Sequence, residues 1–268
     1  MTFAERLSAL CQERGSQLCV GLDPILDRLP GAVRASDDPV FAFNRAIVDA
    51  TIDLAPVYKP NLAFYEALGL SGWSSLKRTV EYIGDRAIVL GDAKRGDIGS
   101  TATAYASALF EAFDFDACTI NVYQGHDAAA PFLRYRDRGV FILCRTSNRS
   151  APDMQDGEVG RWKVYEHVAR RAVEWNQAGN CGLVVGATYP SELAAVRALA
   201  PGLPILIPGV GAQGGDAGES ARAAAGGPFV ISSSRGIIFA SGGDDFAEAA
   251  RRAAQALRDE IAAAFAPA

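Results

Sequence analysis

Eight short apolar runs recur along this chain, at residues 18–22, 55–58, 87–90, 117–122, 140–144, 182–185, 204–207 and 229–232. Stretches with the spacing of amphipathic helices separate them. Near-continuous apolar runs of this length belong to strands buried on both faces, which is the environment of a parallel sheet covered by helices. Eight such strands in 268 residues predict a closed (β/α)8 TIM barrel occupying 1–268 as a single domain. An open doubly wound sheet is the alternative. Two further helices frame the pattern. Residues 3–14 put Phe3, Leu7 and Leu10 on one face and stop at Gly15, and the Ala-rich segment 245–265 closes the chain as a long C-terminal helix.

Between the strands, Pro39 opens a helix that carries Phe41, Ile47 and Val48. Residues 62–68 and 73–83 predict two pieces broken around Gly69 and Gly72, and helices are expected at 103–113, 128–137 and 162–177. The segment 146–160, rich in Ser, Pro, Asp and Gly, is expected to be the longest loop and to border the site. Asp23, Lys59, Asn61, Asp92, Lys94, Asn121, Ser147, Gln213 and Arg235 all fall just past the ends of their predicted strands. In a barrel those ends ring one mouth, where active sites are built.

The most charged of these ends is Asp92-Ala93-Lys94-Arg95-Gly96-Asp97-Ile98-Gly99-Ser100-Thr101. Side chains two apart on a strand share a face, so Asp92 and Lys94 should point the same way, with Asp97 at the rim. A structural reading makes Asp92 and Lys94 an ion pair and Asp97 a helix cap. Lys59, by itself, would be a snorkelling rim lysine. Placed on the neighbouring strand, it instead completes an alternating array of two cations and two anions. At an effective dielectric of about 20, each contact at ~4 Å is worth on the order of 4 kcal/mol before desolvation, enough to keep both lysines charged.

A second cluster lies at the ends of the last two strands, in Pro208-Gly209-Val210-Gly211-Ala212-Gln213-Gly214-Gly215-Asp216 and Ser232-Ser233-Ser234-Arg235-Gly236. Adjacent Gly-rich loops of this kind, with a short extra helix, form the phosphate site of many barrels, and Arg235 can clamp the anion in bidentate fashion. The net charge of −5 argues against nucleic acid or an anionic membrane as partner, so a phosphate must be held by such local groups. No run of about 18 apolar residues and no leader pattern is present, which predicts a cytoplasmic protein. Of five cysteines, Cys19, Cys118, Cys144 and Cys181 sit in or beside strand-like runs as reduced core residues, and only Cys11 falls on a helix. With only His126 and His167 available, neither a zinc site nor a Ser-His-Asp triad is attractive.

The order of these motifs resembles the orotidine 5′-phosphate decarboxylase family across nearly the whole chain. The most specific element is the D-x-K-x-x-D-I-x-x-T pattern spanning Asp92 to Thr101, joined by Gly21-Leu22-Asp23-Pro24, Lys59-Pro60-Asn61, Thr146-Ser147-Asn148, Pro208 to Gln213, and Ser234-Arg235-Gly236. The long segment after the fifth strand and the helix beside Lys163 look like the longer bacterial subgroup. The resemblance implies that Lys94 is a general acid protonating C6 of the pyrimidine as carbon dioxide leaves, with Asp92 facing the substrate carboxylate and Lys59 and Asp97 completing the network. It implies ribose contacts from Asp23 and Lys59, a pyrimidine contact from Ser147, and a phosphate held by Gln213 and Arg235. Ile98, Thr101, Pro208 and Ser234 are further substrate-binding positions on the same basis. It also implies a homodimer that shares its active sites, Asp97 and Thr101 crossing to the other subunit, and neither metal nor organic cofactor. Two rivals remain: a Mg²⁺-dependent sugar-phosphate decarboxylase or aldolase-type enzyme with a related motif, and a catalytically silent phosphate-binding barrel.

Overall fold

The computed structural model describes residues 1–211 and 214–265. Helix α1 (Phe3–Glu13) starts at a capping box, in which the Thr2 hydroxyl accepts the Glu5 N–H and the Glu5 carboxylate accepts the Thr2 N–H. Strand β1 (Leu18–Leu22) leads through α2 (Gly31–Arg34) to α3 (Pro39–Thr51), which is capped by Asp38 and begins with proline. Then come β2 (Val57–Pro60), α4 (Leu62–Glu66), α5 (Gly69–Ile83), β3 (Ile88–Arg95) and α6 (Gly99–Ser107), the last continuing as a π turn over Ala108–Ala112. The middle of the chain forms β4 (Ala117–Ile120), α7 (His126–Leu133), β5 (Gly139–Arg145), α8 (Pro152–Gln155), the antiparallel hairpin β6 (Glu158–Val159) and β7 (Trp162–Lys163), and α9 (Val164–Trp175). It ends with β8 (Cys181–Val185), α10 (Pro190–Leu199), β9 (Ile205–Pro208), α11 (Ala217–Ala224), β10 (Phe229–Ser233), α12 (Arg235–Ile238) and α13 (Phe246–Ala263).

Strands β1, β2, β3, β4, β5, β8, β9 and β10 pair in parallel and close on themselves, β10 returning to β1 with Leu18 opposite Ile231. The expected (β/α)8 barrel is present, with its N-terminal and long C-terminal helices. Alternation along the strands divides the apolar side chains into two cores. One lies between strands and helices, while the other fills the barrel with Cys19, Val57, Leu90, Phe141, Leu206 and their neighbours. Phe3, Leu7 and Cys11 of α1 belong to this inner core, so α1 plugs the end of the barrel where the strands begin. Phe3 meets Phe141 edge to face at 5.9 Å, and Gly139 makes room for it, since a Cβ there would stand 2.5 Å from the Phe3 ring.

Several local expectations need correction. The expected break is present but falls at Ala67–Leu68, just before Gly69 at φ +63°; α5 then starts at Gly69 and runs through Gly72, whose missing side chain lets the helix press on the Tyr65 carbonyl. The segment 146–160 is not a plain loop: it contains α8 and the first strand of the hairpin, and the predicted helical start at Trp162 is the second strand of that hairpin. Strand β3 continues to Arg95, five residues past its apolar run, so Asp92 and Lys94 lie inside the strand. No helix among the described residues is long and apolar enough to cross a membrane. All five cysteines are free and buried.

Candidate active site

The strand ends surround a cavity of about 410 Å³. Its floor is an ion-pair chain. Lys59 of β2, only 5% exposed, places Nζ 3.2 Å from Oδ2 of Asp92, and Lys94 places Nζ 2.6 Å from the other oxygen, Oδ1. Burial works against charge on Lys59, yet the Asp92 and Asp23 carboxylates outweigh it and hold the ammonium above the usual lysine range. Burial alone would likewise raise the Asp92 pKa. The ammonium groups of Lys59 and Lys94, with hydrogen bonds from Lys94 and Thr119, reverse that and hold the carboxyl below the usual carboxylate range. Asp92 is 9% exposed, whereas the Lys94 side chain is 48% exposed. The chain of charges therefore runs from a buried lysine to a half-exposed one, both lining the cavity.

Asp23, at the end of β1, lines the same cavity and accepts the Asn61 N–H at 3.3 Å. The last strands supply Pro208, Ser234 and Arg235, the arginine exposed at the rim. Gly21 allows this closeness: a Cβ there would stand 2.6 Å from Cβ of Ser234. Ser147 lines the opposite wall, and its carbonyl accepts the Thr188 hydroxyl at 3.2 Å. Beside it, Gln155 of α8 accepts the Thr146 N–H at 2.8 Å and donates to the Thr146 hydroxyl at 2.7 Å. The segment 146–160 is thus anchored to the mouth at its α8 end.

Nine of the sequence-derived residues, Asp23, Lys59, Asn61, Asp92, Lys94, Ser147, Pro208, Ser234 and Arg235, line this one cavity. Gln213 lies outside the described residues. Asp97, Ile98 and Thr101 do not line the cavity of their own chain. Asp97 does not cap α6 either, because Ile98 is the residue at the cap and the Asp97 carboxylate accepts the Ile98 N–H at 2.8 Å. Among the described residues it pairs with no cation of its own chain, so three members of the expected four-charge array meet here and the fourth stands apart at the rim.

Beside the site, the buried polar residues Thr119 and Arg145 escaped the sequence reading. Thr119 of β4 donates its hydroxyl to Asp92 Oδ1 at 2.8 Å and accepts the Lys94 N–H at 2.9 Å. Its only signal was a hydroxyl within an apolar run. Arg145, at the end of β5, is enclosed with its guanidinium 4.0 Å from the Tyr189 ring and 3.4 Å from Asp156. A charge directly after a strand was its signal, but nothing in the sequence said which carboxylate it would find.

The model of the orotidine 5′-phosphate decarboxylase / HUMPS family matches residues 16–253. An orotidine 5′-phosphate decarboxylase from Herpetosiphon aurantiacus is 51% identical over 259 residues, covering 95% of this chain and 96% of its own. One from Azoarcus sp. is 49% identical over 268 residues, covering 97% and 98%. Among solved structures, the OMP decarboxylase of Leishmania donovani superposes with a TM-score of 0.85 at 39% identity, each chain covered over 100%.

Proposed function

From the premise that this chain belongs to the orotidine 5′-phosphate decarboxylase / HUMPS family, we propose how its cavity carries out the reaction. The chain is a carboxy-lyase, which removes carbon dioxide from orotidine 5′-phosphate to leave UMP in pyrimidine synthesis. The difficulty of that step is a carbanion at C6 with no adjacent carbonyl to delocalise it. An ammonium already fixed at that point stabilises the developing charge without reorganising, and can then protonate the carbon. Lys94 is that group. The observation that carries the reading is the Lys59–Asp92–Lys94 chain, in which Asp92 holds Lys94 at 2.6 Å while Lys94 remains its most exposed member.

The same reading assigns the phosphate to Arg235, with Gln213 and the backbone around Pro208 and Ser234, the ribose hydroxyls to Asp23 and Lys59, and the pyrimidine edge to Ser147. The distant phosphate supplies binding energy that holds the ring against Lys94. The chemistry is cofactor-free. In support, both Asp92 oxygens already serve ammonium groups and a hydroxyl, so this carboxylate is engaged by the protein itself. Asp97, with Ile98 and Thr101, completes the site of a second subunit in a two-fold dimer. The half-exposed Ile98 and the exposed Tyr123 flank that rim, which suits a covered surface. The free, buried cysteines agree with a reducing cytoplasm.

The test is direct. Orotidine 5′-phosphate in EDTA-containing buffer should be converted to UMP, and Lys94→Ala should lose at least about 10³-fold in kcat, equivalent to roughly 4 kcal/mol, while still binding UMP. No turnover by the wild-type protein would overturn the activity. A strict Mg²⁺ requirement would favour the sugar-phosphate rival, and a Lys94→Ala variant keeping a tenth of the rate would remove Lys94 as the acid.

A further inference from the structure

Strands β3 and β4 keep register at Leu90 opposite Ala117 and Gly91 opposite Cys118, and next at Arg95 opposite Ile120. From Gly91 to Arg95 is four steps on β3, against two steps from Cys118 to Ile120 on β4. The surplus is a bulge containing Asp92, Ala93 and Lys94. Bulges bend a strand and re-aim its side chains, and they lose ladder hydrogen bonds in doing so. Lys94 also takes φ +48°, in the left-handed region that a lysine rarely occupies. A backbone so placed needs surrounding contacts to hold it.

Thr119 meets that need. It sits on β4 inside the interval spanned by the bulge, is 1% exposed, and has a single hydroxyl proton. That proton goes to the Asp92 carboxylate, so the oxygen lone pairs are free for the Lys94 N–H that the bulge has removed from the ladder. One side chain thus holds the main chain of Lys94 and the carboxylate that orients the Lys94 ammonium. We propose that Thr119 is a positioning residue for decarboxylation, its hydroxyl fixing the β3 bulge so that Asp92 and Lys94 keep their mutual geometry while substrate is bound. The inference rests on the reading of Lys94 as the acid.

Hydroxyl removal with shape retained, in Thr119→Val, and with space to spare, in Thr119→Ala, should both lower kcat roughly ten- to hundred-fold, the effect of losing a charge-assisted hydrogen bond at the reacting group. UMP affinity should stay within about twofold of wild type, because Thr119 does not line the cavity that holds the nucleotide. Thr119→Ser keeps the hydroxyl and loses only the methyl group, so it should restore kcat to within about threefold of wild type. A folded Thr119→Val or Thr119→Ala enzyme with wild-type kcat would overturn the proposal. So would a serine variant as slow as the alanine variant, since packing rather than the hydroxyl would then matter. If Thr119→Val does not fold, the alanine and serine pair still decides. Wild-type turnover that disappears in Lys94→Ala but survives in Thr119→Ala refutes the role of Thr119 alone; absent wild-type turnover refutes the activity itself.

Discussion

Lys59 and Asp92 are nearly enclosed, so each depends on the other for a countercharge. Replacing Asp92 by Asn would leave Lys59 and Lys94 facing a neutral amide, and should destabilise the fold by on the order of 3 kcal/mol in urea unfolding at pH 7. The Asp92 pKa is held below its ordinary 3.8, so its contribution is present above that pH and is lost as pH falls toward the folded value. The Lys59 pKa is held above its ordinary 10.5, so its contribution is present below 10.5 and is lost as pH rises beyond it. Wild-type and Asp92→Asn proteins should therefore differ by a constant amount between about pH 5 and 9, with the gap narrowing in acid. Equal urea midpoints at pH 7 would show that the pair does not support the fold. At this scale, Asp92 and Lys94 were legible as opposite charges two apart at a strand end, although it is the bulge rather than regular alternation that brings them together. Thr119 was not, since its role comes from a residue on another strand, opposite a bulge that no apolar run announces.

Among the elements, α1 has a task remote from the cavity. Phe3 is 2% exposed and fills the end of the barrel against Phe141 and Gly139. Phe3→Ala should lower unfolding free energy by about 3 kcal/mol or more while leaving kcat of the folded enzyme unchanged. A fall in kcat at full occupancy of the native state would mean that the plug reaches the mouth. The helix itself was legible from Phe3 and Leu7, but its place was not, because periodicity names a face without naming what covers it. Strand positions were legible as apolar runs, and the extension of β3 through Asp92 and Lys94 was hidden by its charges. The segment 146–160 was opaque for another reason: α8 has four residues and the hairpin strands two each, too short for any period. What holds α8 in place is tertiary, through Gln155 and Thr146.

For the whole molecule, the position of Asp97 at the rim gives a test of assembly. Lys94→Ala and Asp97→Ala proteins should each be nearly inactive if every site needs both groups. Mixed after reversible dissociation, they should gain activity, because a heterodimer pairs the intact Lys94 of one chain with the intact Asp97 of the other and restores one of its two sites. Subunit exchange confirmed by mass, with activity still at the parental level, would place Asp97 in its own chain. The barrel shape was legible from the number and spacing of strands; the place of Asp97 was not, since a rim carboxylate that pairs with no cation among the described residues carries no direction. The pairing of Leu18 with Ile231 has a consequence for how the molecule comes into being. During synthesis, β1 leaves the ribosome long before β10 exists, and until then its edge toward β10 is unpaired and α1 has an incomplete barrel to plug. Closure joins the strands farthest apart in sequence, so it should be slow, and a chain stalled before it exposes an unpaired strand edge on which aggregation can start.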